Sequence, residues 1–244
     1  MTLKALPVAT AVATTLFATL VAAATPDFTG VWTNAGGPGI GGRTMAGAAT
    51  PLPLKPGPKA RVEAYQKLTA TLGETPGGWC LGAGMPGSML GSGGYPMEII
   101  QRPEQITIVY EAHSETRRIY FGDRNAPQSD RVPGRNGYSS GRWEGDTLVV
   151  ETDNLVDQVD QRYAHSGNAK IVERYKLEAP DAQGRRVLAV EMTLTDPDFY
   201  TEPVTATKRW AQVPNGRLLP YECAEENWLK RLQELADKAG VPMP

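Results

Sequence analysis

Two histidines, several tyrosines and a scatter of arginines and carboxylates are the groups in this 244-residue chain that suit proton transfer. His113 and His165 are the available bases, and Tyr110 and Tyr138 the available acids. Arg118 and Arg142 are cations of the kind that stabilise developing negative charge. Around them Tyr110, Glu111, His113, Arg117, Arg118, Tyr120, Asp123 and Arg124 crowd one short stretch. Glu173, Arg174 and Tyr175 follow on a later one, then Glu191 and Thr193. Strand alternation turns some of these side chains inward. An inward carboxylate beside Arg, Tyr or His has two readings, a satisfied structural network or an acid–base site with shifted pKa values.

Three familiar patterns are present but lack the context that would give them chemistry. Gly82-Ala83-Gly84-Met85-Pro86-Gly87 has the glycine spacing of a dinucleotide loop, yet no strand precedes it and Pro86 bars the helix that must follow. Gly137-Tyr138-Ser139-Ser140-Gly141 has the spacing of a serine-hydrolase elbow, which needs a strand before and a helix after; here a hairpin follows. Asp153, Asp157 and Asp160 lack the glycine and final glutamate of a calcium loop. No phosphate-binding loop, haem-attachment pair or metal-ligand spacing occurs, so neither a cofactor nor a metal is expected.

The elements that must position these groups are strands. Gly141–Thr152 reads as two strands around a Glu144-Gly145-Asp146 turn. Further strands are predicted at 97–102, 105–111, 117–121, 138–143, 147–153, 170–178, 186–195 and 204–212, with one more around Trp32. In 186–195, Leu188, Val190, Met192 and Leu194 share one face. About nine strands suffice to close a barrel and remove exposed edges. The expected fold is therefore mainly β: an antiparallel β-barrel with one helix (59–72) before the main sheet and one C-terminal helix (224–239). Gly/Pro-rich loops occupy 34–58 and 73–96. The second carries Trp79, Met85, Met89 and Tyr95 and suits a lid over a cavity. With Tyr120, Tyr175 and Glu191 these make the expected ligand-contact set.

Gly30-x-Trp32 at the start, eight or more strands and a closing helix resemble the calycin plan of the lipocalins. That resemblance implies a basic residue of the last strand packed over the N-terminal Trp, and Lys208 or Arg209 is placed for it. A second resemblance is carried by Met97-Glu98-Ile99-Ile100-Gln101, Arg118-Ile119-Tyr120, Gly141–Thr152, Ile171-Val172-Glu173-Arg174-Tyr175 and Asp196-Pro197-Asp198-Phe199-Tyr200-Thr201. These segments resemble a large, mostly uncharacterised family of secreted bacterial β-rich proteins. That family often has His where this chain has Tyr138 and Ala224, so a family site built on those histidines is altered here.

Compartment follows from the first residues. Lys4, the apolar run 5–24 and the small Ala22-Ala23-Ala24 make a cleavable secretory signal over 1–24. Residues 25–244 are then one periplasmic or secreted domain with no membrane insertion. Cys80 and Cys223 are the only cysteines and are expected to form a disulfide in that oxidising setting. Lys and Arg number 25 against 27 Asp and Glu, a net charge of −2 that gives no basis for binding nucleic acid. The expected partner is a small-molecule ligand or substrate, and the sequence leaves the oligomeric state open. The leading expectation is a lipocalin-like barrel that binds a small, partly apolar molecule. The alternative is a cofactor-independent lyase or isomerase with its site inside the barrel, ahead of a structural envelope protein or a serine hydrolase.

Overall fold

A computed structural model describes residues 25–35, 45–46, 51–70, 77, 80–90, 94–221 and 226–242. The expected signal over 1–24, parts of both Gly-rich loops, Trp79 and Cys223 lie outside the described residues. Ten strands form one sheet: β1 (Gly30–Asn34), β2 (Met45–Ala46), β3 (Met97–Arg102), β4 (Gln105–Tyr110), β5 (Thr116–Tyr120), β6 (Tyr138–Glu144), β7 (Thr147–Asp153), β8 (Lys170–Glu178), β9 (Val187–Thr195) and β10 (Val204–Val213). Among the described residues three α-helices accompany them, α1 (Pro56–Ala70), α2 (Gly87–Leu90) and α3 (Glu226–Ala239). Among the described residues no helix is long and apolar enough to cross a membrane.

The order runs β1-β3-β4-β5-β6-β7-β8-β9-β10, and β10 pairs back onto β1. Nine strands thus close a barrel, and the two-residue β2 extends the β1 side of β10 at Thr207 and Lys208. Closure satisfies the backbone groups that an open edge would leave unpaired. Strand parity follows side-chain period: Ile106, Ile108 and Tyr110 on β4, and Leu188, Val190, Met192 and Leu194 on β9, are buried inside.

One pairing departs from the antiparallel expectation. β5 and β6 run parallel, held by Ile119↔Ser139 and Tyr120↔Ser140. The connection 121–137 makes this possible. It is long enough to return the chain to the end where β5 began, which a hairpin cannot do.

The cation over Trp32 is also not the one expected. Arg186 lies 5.6 Å from the Trp32 ring, while Lys208 lies 5.1 Å from Trp210 and Arg209 points outward to Glu178. Register explains the difference. Trp32 pairs with Gln212, four residues beyond Lys208, and the Gln212 amide donates to the Arg186 carbonyl at 2.9 Å.

Both mouths are filled. At one end Phe28 packs 5.4 Å from Trp143 with the ring planes tilted by 42°, and Phe121 reaches over Gly141. A Cβ on Gly141 would sit 2.8 Å from Phe121, so this inward position needs glycine. At the other end Met85, Met89 and Leu90 join Tyr65, Leu68, Tyr163, Phe199 and the α3 residues Leu232 and Leu235 in the buried core.

Candidate functional site

The strands bring a charged cluster together inside the barrel. Arg117 projects inward from β5 and is fully buried. Its Nε donates to Ser139 Oγ at 3.0 Å and its Nη2 to Thr152 Oγ1 at 2.8 Å. Nη1 donates to Glu173 Oε1 at 3.0 Å and to the Tyr175 hydroxyl at 3.2 Å, and Nη2 closes a second contact to Glu173 Oε2. Tyr175 donates to Glu173 Oε1 at 2.8 Å, and Ser139 Oγ lies 2.9 Å from Thr152 Oγ1.

One guanidinium therefore ties β5 to β6, β7 and β8. It bridges the parallel junction, whose backbone register is only two pairs long. The planar fork of arginine matches a carboxylate with two parallel bonds, which a lysine cannot do. Burial alone would lower the Arg117 pKa, but Glu173, Tyr175 and Tyr110 outweigh it and hold the group well above its ordinary value. Burial, then the Glu173 charge, pushes the Tyr175 phenol well up. This is a satisfied network with its charges matched.

Other interior polar groups have no hydrogen-bond partner among the described residues. The Tyr110 hydroxyl and the Trp210 indole N–H are buried without a hydrogen bond, as is Asn34 Oδ1. Burial, above all, raises the Tyr110 pKa. Lys208 faces inward from β10 with Val204, Ala206 and Trp210 and is 2 % exposed. Among the described residues it has a ring contact to Trp210 but neither a hydrogen bond nor an ion pair. Burial lowers its pKa to about 8.

The Gly-rich segment 80–90 covers the mouth at which β4 turns into β5. Glu115 accepts from Gly84 N at 3.0 Å and from Ser88 Oγ at 2.6 Å, and Arg135 O accepts from Met85 N at 2.9 Å. Gln158 Nε2 donates to Ala83 O at 3.1 Å and Gln161 Nε2 to Met85 O at 3.2 Å. These polar anchors hold Met85 and Met89 in the core as a plug.

His165 belongs to this lid attachment and is fully buried. Its Nδ1 lies 3.0 Å from Ser166 O, and its Nε2 lies 3.0 Å from Met85 O and 3.2 Å from Gln161 Nε2.

His113 sits on the turn after β4 with φ of 60°. Its Nε2 is 3.2 Å from Gly77 O and its ring 4.9 Å from Tyr221, which also meets Tyr95 at 5.6 Å.

Of the residues expected to carry chemistry, Tyr110, Glu173 and Tyr175 meet inside the barrel, while Met85 and Met89 close its mouth. Neither histidine joins that interior cluster. Tyr138 lies on the outer wall, stacked 5.3 Å from Tyr120 under Arg131, its hydroxyl accepting from Ala126 N at 2.6 Å. Arg118 is exposed, and Arg142 pairs with Glu144 and Glu151 on the surface. Glu191 is exposed on β9, and Tyr95 lies at the rim.

Sequence reasoning left Thr152 and Trp210 unremarked as site residues, set Ser139 aside with the hydrolase pattern, named Arg117 only within the polar stretch, and placed Lys208 over Trp32 and not in a site. Parity was the available signal: 117 alternates with Ile119, and 208 and 210 with Val204 and Ala206. The chain matches no known family model and no curated protein.

Proposed function

We propose that this protein is an exported lipocalin-like barrel that binds a small, partly apolar molecule in its interior. The supporting observation is the pair of groups without a hydrogen bond, Tyr110 hydroxyl and Trp210 N–H, on the inner wall of a barrel that also holds the Arg117–Glu173 network and Lys208 among Leu, Ile, Val and Met side chains. A buried polar atom without a partner costs roughly 1–3 kcal/mol, and such atoms are rare unless water or a ligand completes them. Export rests on Lys4 and the apolar run that follows it. In the same reading Cys80, which is not a free thiol, pairs with Cys223. The chain near each cysteine meets at His113: Gly77 O contacts its Nε2, and Tyr221 its ring, while Ser114 Oγ donates to Tyr221 O at 3.0 Å.

The acid–base alternative has less support. Glu173 is occupied by Arg117 and Tyr175, and both histidines are engaged at the mouth. Titration calorimetry of the mature protein with dodecan-1-ol tests the binding reading. The expected result is saturable binding of one molecule per chain. Tyr110→Phe should weaken it about fivefold to tenfold, the worth of one hydrogen bond, with a melting temperature of the ligand-free protein equal to or above that of the wild type. Absence of binding by both dodecan-1-ol and dodecanoate overturns the reading.

A further inference from the structure

The inward-facing cation of β10 narrows the ligand class. Lys208 stands on the inner face with Trp210 two residues on, its Nζ 5.1 Å from the indole ring centroid. The inward neighbours on the adjoining strand are Leu188, Val190, Met192 and Leu194, none of which carries charge. On the other side Asn34 pairs with Trp210 and Trp32 with Gln212. The interior Arg117–Glu173 pair offers no counter-charge, because its two members are matched to each other within their own network.

A buried ammonium is ordinarily paired or bound to an anion. Here two unfilled donors, an ammonium and an indole N–H, sit on one face of one strand, with no acceptor among the described residues bonded to either. Two donors side by side suit the two oxygens of a carboxylate. The surrounding aliphatic wall suits a hydrocarbon chain.

We propose that Lys208 and the Trp210 indole N–H form the head-group subsite for the carboxylate of an amphipathic ligand whose apolar chain lies along the barrel interior. The proposal rests on the barrel-binding reading above and specifies its ligand. Lys208 supplies the counter-charge, Trp210 fixes the orientation of the head group, and no covalent step is involved.

Paired calorimetric titrations of the mature protein at pH 7 with dodecanoate and with dodecan-1-ol test it. The two probes share a chain and differ in the head group. The wild type should bind dodecanoate about tenfold or more tighter than the alcohol, as a charge-assisted contact in a dry site requires. Lys208→Met should abolish that preference while still binding the alcohol, and Lys208→Arg should restore part of it. Equal affinity of the wild type for both probes overturns the carboxylate proposal and leaves the barrel reading standing. Failure of both probes overturns the barrel reading itself. The wild-type comparison decides the matter even where a variant fails to fold.

Discussion

Arg117 and Lys208 are both buried cations on the inner wall, and their surroundings set opposite expectations. Arg117 is paired with Glu173 and bonded to Ser139, Thr152 and Tyr175. Arg117→Met leaves Glu173 buried without its cation, and should cost about 3–5 kcal/mol in urea unfolding. Replacing both, Arg117→Met with Glu173→Met, should recover much of that loss, because no unpaired charge remains. A single variant within about 0.5 kcal/mol of wild type would contradict the clasp.

Lys208 is the reverse case. Burial lowers its pKa from 10.5 to about 8, so between those values the unfolded chain holds a proton that the folded chain has lost. Stability of the ligand-free protein therefore gains from this group as pH rises from about 8 to about 10.5, and below about 8 the full penalty applies. Lys208→Met should be the more stable protein at pH 7, by up to about 3 kcal/mol, with the gap shrinking toward pH 10.5. A gap that is flat across that range in paired melts would contradict the assignment.

At the scale of elements, the β6–β7 hairpin depends on Gly145, where φ is 62° and an added Cβ would meet nothing within 4 Å. The cost of a side chain there is purely one of backbone conformation. Gly145→Val should destabilise by about 1–2 kcal/mol and Gly145→Asn by less, since Asn tolerates the left-handed region. Equal melting temperatures for the two variants would show that the turn relaxes to another form. This turn was legible because Glu-Gly-Asp punctuates two β-branched runs, and β3, β7 and β8 were read to the residue for the same reason. The direction of β6 was not legible. Alternation in Tyr138–Trp143 reports which face is inside and says nothing about whether the neighbouring strand runs with it or against it. Nor was α2, since four residues starting at a glycine carry no helical period. In the sequence His113 and His165 stand out by their chemistry alone, and the segment that engages His165 is held by hydrogen bonds across distant parts of the chain.

At the scale of the whole molecule, closure does two jobs. It hides most inward side chains from bulk water, and it makes the segment 80–90 and its attachments part of the core. Interior membership could be read from parity once the strands were placed; partnership could not, because whether Tyr110, Trp210 or Lys208 finds a bond depends on side chains several strands away. The Cys80–Cys223 bond would staple the lid segment to the approach to α3. It should contribute about 3–5 kcal/mol, and mass spectrometry of freshly purified protein under non-reducing conditions should find both sulfurs oxidised. Two free thiols would remove the staple from the account.

The most direct test of interior binding is a crystal structure of the mature protein grown with dodecan-1-ol. The expected result is electron density for the alcohol inside the barrel, its oxygen within hydrogen-bond distance of Tyr110, Trp210 or Lys208. An interior closed by protein side chains, with only ordered water at those groups and the alcohol absent or bound on the outer wall, would contradict it.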